Sequence, residues 1–333
     1  MANDKDNPLI VVTGGAGLIG SAIVWQLNQL GIHQIIIVDH LGESDKWKNL
    51  RALKYLDYYE KDAFINQITC NKLPYPIQSI FHMGACSATT EKDASYLVQN
   101  NFEYTRDLAM YALKRGIRFI YASSAATYGD GTLGYADSED KIELLRPLNM
   151  YGYSKQMFDL WAKNHGLFAK ITGLKFFNVF GPNEWHKGDM RSMVVKAYEQ
   201  IVETGRIKLF KSYVEQYGDG EQQRDFIYVK DAAKMAVHFL LNPQANGLFN
   251  IGTGKANSWN NLAEAVFLAL QKPVQIDYID MPEQLQNKYQ YYTCAELQKL
   301  RHNGYTDTIT SLREAVRDYV QNYLKTGHHL GDI

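Results

Sequence analysis

Five aliphatic and β-branched residues, Leu9-Ile10-Val11-Val12-Thr13, run directly into Gly14-Gly15-Ala16-Gly17-Leu18-Ile19-Gly20 and then into an apolar-periodic stretch from Ile23 to Leu30, closed by Gly31. Few architectures accept that order. The aliphatic run suits a strand buried on both faces. The glycines let the backbone turn tightly and approach a bound group. The periodic stretch predicts a helix whose first-turn N–H groups and positive dipole end face whatever the turn holds. A plain strand-to-helix turn needs one glycine. Three in register, Gly14, Gly17 and Gly20, predict a dinucleotide pyrophosphate site on a parallel α/β sheet.

Strand and helix signals continue to alternate. A second strand, 34–38, ends at Asp39, and an acid at that place accepts hydrogen bonds from the adenosine ribose of NAD. His40, Lys46 and Lys48 follow in the next loop, and a lysine there pairs with the 2′-phosphate of NADP if Asp39 turns aside. NAD and NADP both stay open on these residues. Tyr58-Tyr59 with Lys61 reads as a third strand end and 62–70 as a helix. A fourth strand, 79–82, enters Met83-Gly84-Ala85-Cys86-Ser87, where Gly84 and Ala85 let the backbone pass close to a dinucleotide. His82 and Cys86 read as packed strand-end residues. Residues 92–115 predict a long helix with Asn100 and Asn101 in its middle, which implies a polar contact by one of them or an exposed face. A fifth strand, 119–124, brings Ser124 to the carboxyl edge of the sheet, where such sheets bind ligands.

Farther along, Tyr151 and Lys155 stand four apart in Tyr151-Gly152-Tyr153-Ser154-Lys155, so on a helix both side chains leave one face. A phenol beside an ammonium is a proton-transfer device, because the cation favours the phenolate. Lowering a phenol pKa from near 10 to neutrality takes about 4 kcal/mol. Two cations in a site of low dielectric supply that, the second being the positive ring of an oxidised nicotinamide.

The charge balance limits what else the chain can do. Lys+Arg 35 against Asp+Glu 36 leaves a net charge of −1, so no global basic field draws it to nucleic acid or an anionic membrane. Cys70, Cys86 and Cys294 are too widely spaced for a disulfide framework or a metal site, so no metal and a reducing cytoplasm are expected. Residues 1–8 are polar and acidic, unlike the basic and apolar start of a signal peptide, and read as a loose tail. No apolar run reaches membrane-spanning length.

Taken together, TGGAGLIG at 13–20, SSAATYG at 123–129, YGYSK at 151–155, FNVFGP at 177–182, RDFIYVKD at 224–231 and FNIGTG at 249–254 resemble the extended short-chain dehydrogenase/reductase family of nucleotide-sugar epimerases and dehydratases. The resemblance covers almost the whole chain. It implies a catalytic triad of Ser124, Tyr151 and Lys155. The two hydroxyls would hold the alcohol being oxidised, the tyrosinate would take its proton, and the lysine would lower the tyrosine pKa and bind the nicotinamide ribose. Dehydratases of the family carry an Asp-Glu pair just after the strand-end hydroxyl, because eliminating water needs an additional acid and base. Ala125 and Ala126 stand there, so an epimerase is expected. The segment Asn183-Glu184-Trp185-His186-Lys187-Gly188-Asp189-Met190, with GACSATTE at 84–91 and KYQYYT at 288–293, resembles the family's epimerases that invert carbon 6 of an ADP-linked heptose destined for the lipopolysaccharide core.

Inverting that carbon means removing a hydride from one face and returning it to the other. The ketone oxygen then lies away from the group that first deprotonated it, and the resemblance gives Lys187 the part of a second acid/base opposite Tyr151. A lysine so used must be partly neutral near pH 7, which burial achieves. On the cofactor side the resemblance implies NADP rather than NAD. Leu18 and Ile19 would serve the pyrophosphate, and Asp39, His40, Lys46 and Lys61 the adenosine end, with Lys46 beside the 2′-phosphate. Met83, Gly84, Ala85, Cys86, Ser87, Asn100, Val179 and Lys187 would line the rest of the path. Asn178, Phe210, Lys211, Ser212, Tyr213, Arg224 and Tyr289 fall where the family binds the ADP-sugar, with Ser124. Asp189 and Lys196 join them, at places where a serine and a histidine are expected. A homo-oligomer is implied as well, a ring of five being the arrangement it suggests. Two readings compete: a UDP-hexose 4-epimerase, which needs Tyr151 but not Lys187, and a dinucleotide-sensing protein, which would be expected to lose Tyr151 or Lys155.

In the second half, 190–203, 231–241, 259–270 and 309–323 predict helices, 207–210 and 226–228 short strands, and 247–251 a return to the parallel sheet. The expected fold class is α/β: a doubly wound parallel Rossmann sheet with a second, smaller mixed α/β substrate domain. Residues 1–178 with 226–252 would form the first domain, and 179–225 with 253–333 the second.

Overall fold

The aliphatic run at the head of the sequence becomes β1 (Leu9–Thr13), buried at every position, in a computed structural model that describes residues 9–286 and 289–332. The expected tail at 1–8 and position 288 of the 288–293 segment lie outside the described residues. After β1 come α1 (Leu18–Gln29), β2 (Ile35–Asp39), β3 (Asp57–Glu60), α2 (Lys61–Thr69) and β4 (Ile77–His82). The long helix then runs as α3 (Ala94–Leu97), a π-helical turn at Val98–Glu103, and α4 (Tyr104–Arg115). β5 (Arg118–Ser124), α5 (Met150–Asn164), β6 (Ile171–Phe176) and β7 (Asn178–Phe180) complete the first half.

The second half contains α6 (Met193–Thr204), β8 (Ile207–Phe210), β9 (Gln223–Arg224), β10 (Phe226–Tyr228), α7 (Val229–Leu241), β11 (Gly247–Ile251), β12 (Asn257–Ser258), α8 (Trp259–Leu270) and β13 (Ile276–Ile279). α6 begins three residues later than the expected 190. Residues Trp185–Met190 form 3-10 turns instead, broken at Gly188, whose φ of +53° no regular helix accepts.

Seven strands form one parallel sheet in the order β11-β6-β5-β4-β1-β2-β3. Strand order reverses at β1, with β2 on one side and β4 on the other, and the crevice beyond their carboxyl ends is where doubly wound sheets bind ligands. Period-two alternation divides β1 between two cores. Ile10 and Val12 join α1, α7 and α8 on one face, and Leu9 and Val11 join Phe64, Leu108 and Phe158 on the other. Each such aliphatic side chain taken out of water contributes about 2 kcal/mol. The first core continues without a break into Val194 and Ile201 of α6 and Tyr319 and Val320 near the chain's end, so the two sides of the expected domain boundary share one apolar interior. Three two-stranded pairings, β7 with β10, β9 with β12 and β8 with β13, build the smaller lobe.

Candidate functional site

Backbone meets backbone at the switch point. Gly14 has φ +64°, and a Cβ there would fall 2.6 Å from the Gly84 amide nitrogen. At Gly20 a Cβ would fall 2.1 Å from the Gly14 carbonyl oxygen. The Met83 N–H donates to the Thr13 carbonyl at 3.1 Å and the Gly84 N–H to Thr13 Oγ1 at 3.2 Å, which ties the two loops together. α1 starts from Gly17 with no side-chain cap, leaving its first-turn N–H groups free to bind an anion. Above them opens a cavity of about 650 Å³, lined by Gly14, Gly17, Leu18, Ile19, Gly20 and residues 83–87. A cradle with no room for a Cβ and an uncapped helix end fits a dinucleotide pyrophosphate.

Asp39 ends β2 at 7% exposure and accepts from the Ala16 N–H at 2.8 Å, the His40 N–H at 2.7 Å and the Lys46 ammonium at 2.6 Å. Lys46 has therefore not left Asp39 for open solvent. Both face the main cavity and also a smaller one of about 180 Å³, which adds His40, Lys61 and Asn100. Lys61 Nζ donates to Asn100 Oδ1 at 2.7 Å, and His40 pairs with Glu60 at 3.1 Å on the exposed rim.

Of the two mid-helix asparagines, Asn101 makes the decisive contacts, and nothing in the local sequence distinguishes it from Asn100. Fully buried in the π turn, it accepts from the Cys86 N–H at 2.9 Å and donates to the Cys86 carbonyl at 3.0 Å and Ser154 Oγ at 3.0 Å. It thus pins the loop after β4 to α5. His82 is a packed residue as expected, held between Thr13 Oγ1 at 2.6 Å and Thr105 Oγ1 at 2.8 Å, and burial pulls its pKa down to about 3.

α5 presents Tyr151 and Lys155 to the main cavity, its start fixed by the Asn149 side chain accepting from the Gly152 N–H at 2.8 Å. Ser124 lines the same cavity from the end of β5. Lys155 is 4% exposed and donates to the Ala122 carbonyl at 2.9 Å, and burial pulls its pKa down to about 8. The expected lowering of the Tyr151 pKa is not what the protein groups produce. Burial pushes it up, the Ser124 hydroxyl only partly offsets that, and the Cys86 side chain pushes it further up. Desolvation outweighs the single hydrogen bond because a phenolate loses more than a phenol on leaving water.

Lys187 reaches the same cavity from the 3-10 turns, and burial lowers its pKa against the opposing pull of Glu184. Glu184 is fully buried and accepts from Ser192 Oγ at 2.7 Å, which closes the turn on itself. His186 extends from the same turn to Asn49, whose side-chain amide also donates to the Ala16 and Asn183 carbonyls at 2.8 and 3.0 Å. Asn178 and Val179 complete the lining.

A second cavity of about 700 Å³ shares Met193 and Trp259 with the first and is lined by Lys196, Phe210 and Tyr289. Arg224 is buried behind it, its guanidinium 5.1 Å from the Tyr289 ring and 5.8 Å from the Trp259 ring. Trp259 Nε1 donates to the Tyr289 hydroxyl at 2.8 Å. Lys211, Ser212, Tyr213 and Asp189 line neither cavity. Lys211 pairs with Asp280 at 3.1 Å, Ser212 Oγ donates to the Val214 carbonyl at 3.0 Å, Tyr213 is 47% exposed, and the exposed Asp189 offers its carbonyl to Lys196 Nζ at 2.7 Å. Among the described residues no group of His, Cys, Asp and Glu could hold a metal ion, and no helix is long and apolar enough to cross a membrane.

Residues 10–252 match the NAD dependent epimerase/dehydratase family. The chain is 53% identical over 316 residues, 95% of its length and 98% of the relative's, to the ADP-L-glycero-D-manno-heptose-6-epimerase of Nitratidesulfovibrio vulgaris. It is 51% identical over 325 residues, with 95% and 98% covered, to the protein of that name from Fusobacterium nucleatum. Among solved structures it is similar to the Helicobacter pylori ADP-L-glycero-D-manno-heptose-6-epimerase, with a TM-score of 0.80, 25% identity, and 97% and 98% of the two chains covered.

Proposed function

This chain belongs to the NAD dependent epimerase/dehydratase family, and from that premise we propose that it is the isomerase that inverts carbon 6 of ADP-D-glycero-D-manno-heptose to give ADP-L-glycero-D-manno-heptose. The observation that carries this reading is that one cavity brings together a glycine turn open to a dinucleotide, the Ser124–Tyr151–Lys155 group, and a second proton-handling side chain, Lys187. A dinucleotide bound on that turn supplies a nicotinamide able to accept a hydride from carbon 6 and give it back.

The chain's own residues handle the protons. Ser124 and Tyr151 hold the 6-hydroxyl of the sugar, and Tyr151 takes its proton as the carbon is oxidised to a 6-keto sugar. Burial works against the tyrosinate, so added positive charge must stabilise it; the oxidised nicotinamide ring would bring that charge, with Lys155 one helical turn along α5 beside it. Once the ketone has turned, Lys187 gives a proton to its oxygen from the other face. Burial makes that proton easier to release. Inversion in the opposite direction uses the same two groups with their parts exchanged. Ala125 and Ala126 leave no carboxyl pair beside Ser124 for eliminating water.

We take the resident cofactor to be NADP, since the Lys46 ammonium stands at Asp39, where a 2′-phosphate would extend from the adenosine ribose. The second cavity, with Phe210, Tyr289 and Arg224 behind it, would take the ADP portion of the sugar. A homo-oligomer, a cytoplasmic location and a place in making the heptose donor of the lipopolysaccharide core complete the proposal. The test is nuclear magnetic resonance of ADP-D-glycero-D-manno-heptose with the purified protein. Appearance of the L-glycero epimer supports the reading; an unchanged substrate in the presence of bound cofactor, with turnover of a UDP-hexose instead, overturns it.

A further inference from the structure

Directly beneath the strand end that carries Ser124 lies a buried ion pair that the proposed chemistry does not use. Asp159, one turn beyond Lys155 on α5, is fully buried, and Lys175 on β6 is 1% exposed. The ammonium of Lys175 lies 3.1 Å from Asp159 Oδ2. The carboxylate also accepts from the hydroxyls of Tyr121 and Ser123, each at 2.7 Å. On its other side, Lys175 donates to Thr127 Oγ1 at 2.5 Å and sits 4.8 Å from the Tyr128 ring. Thr127 Oγ1 donates in turn to the Ser124 carbonyl at 2.7 Å. A continuous path of polar contacts therefore runs from the residue before Ser124, through both charges, to the backbone of Ser124 itself.

Apolar side chains of similar volume would often serve a core as well as a buried pair, or better, because both ions must be desolvated. Beyond its three hydroxyl partners the pair meets an aromatic wall, with Phe158 edge-on to Tyr121 at 4.6 Å. A pair held at that desolvation cost points to a role that packing alone would not fill. On the reading that Ser124, Tyr151 and Lys155 act together, we infer that Asp159 and Lys175 are positioning residues for that group: they lock the turn presenting Ser124 against α5, and their opposed charges set the potential at Lys155.

The charged and titratable groups facing Lys155 are few. Tyr151 and Asp159 flank it one turn to either side on its own helix, Cys86 acts from the loop after β4, and His82, which burial keeps neutral, from β4. Tyr121 and Ser123 of β5 and Lys175 of β6 face Asp159. Removing one member of the pair leaves the other uncompensated near Lys155, so the two single substitutions push its titration in opposite directions.

Competitive labelling with acetic anhydride, quantified by mass spectrometry at Lys155 between pH 6 and 11, reads that titration without any turnover. In the unaltered protein the midpoint falls at about 8. Asp159→Asn lowers it by about one pH unit, Lys175→Met raises it by about one, and the double variant returns it close to the starting value. Midpoints that fail to move in opposite directions overturn the inference. Should a single variant not fold, the double variant, which leaves no lone charge, carries the decision. Its kcat on the ADP-heptose falls about tenfold with KM within about twofold, because Ser124 is less well held; an unchanged kcat in the folded double variant overturns the positioning role. A wild-type protein that does not turn over this sugar would count against the proposed function, and the labelling result would still decide the coupling.

Discussion

Replacing Lys155 by methionine should make the protein more stable at pH 7 while disabling it. Lys155 is 4% exposed, and burial brings its pKa from 10.5 to about 8. Each pKa unit corresponds to about 1.4 kcal/mol, so holding the charged form in the fold costs about 3 kcal/mol. The sign follows from proton counts. Below pH 8 the lysine is charged in both folded and unfolded chains, and the whole cost is present. Between about 8 and 10.5 the folded chain binds fewer protons than the unfolded one, so stability rises with pH and the cost disappears. A methionine keeps the aliphatic stem and drops the charge, but leaves the Ala122 carbonyl without its donor, a loss of about 1 kcal/mol. The net gain expected at pH 7 is about 2 kcal/mol. Urea unfolding followed by tryptophan fluorescence, at matched nucleotide content, would report it as a higher midpoint for the variant. That advantage should shrink steadily from pH 8 to 10.5, and activity should fall by at least about a hundredfold. A variant no more stable than the original at pH 7, or an advantage independent of pH, would refute the reasoning.

Three other substitutions probe the rest of the site. Gly20→Ala should abolish dinucleotide binding, measured by calorimetry, because its Cβ would meet the Gly14 carbonyl oxygen at 2.1 Å and force the glycine turn apart; retained affinity would remove the turn from the binding site. If NADP is the resident cofactor, as proposed, Lys46→Ala should shift the nucleotide recovered from the purified protein toward NAD, with NADP affinity down by about ten- to a hundredfold, since Asp39 would then face a 2′-phosphate without its counterion. Lys187→Met should lower kcat by about a hundredfold or more with little change in KM. A raised KM at unchanged kcat would instead make Lys187 a phosphate contact.

The parts of this molecule that were legible in its sequence are those governed by local periodicity and backbone demands. The run 9–13, the glycine turn and the strands ending at Asp39, His82 and Ser124 all lie where the pattern puts them, because a strand buried on both faces leaves little compositional choice. The π turn around Asn100 and Asn101 was visible only as a mildly unfavourable pair, and nothing local distinguished Asn101, which reaches Cys86 and Ser154, from its neighbour. The upward push of burial on the Tyr151 pKa was not legible, because spacing reveals a neighbouring charge but not how much water the phenol loses. Lys211, Ser212 and Tyr213 adjoin Phe210 in the chain, yet only Phe210 lines the second cavity. Alternation along β8 and the turn that follows sends the others to Asp280 and solvent. Asp159 and Lys175 were out of reach altogether. Their pairing depends on how α5 and β6 are placed about β5, a side-chain contact between residues sixteen positions apart that neither segment announces.

In the proposed reaction the hydrogen on carbon 6 leaves and returns as a hydride while Tyr151 and Lys187 move only oxygen-bound protons. This is tested most directly with ADP-D-glycero-D-manno-heptose carrying deuterium at carbon 6, incubated with the protein in ordinary water and followed by nuclear magnetic resonance. Hydride return to the same carbon gives an L-glycero product that keeps its deuterium at carbon 6. Product with ordinary hydrogen there would mean that carbon 6 is deprotonated to solvent, and would contradict hydride return.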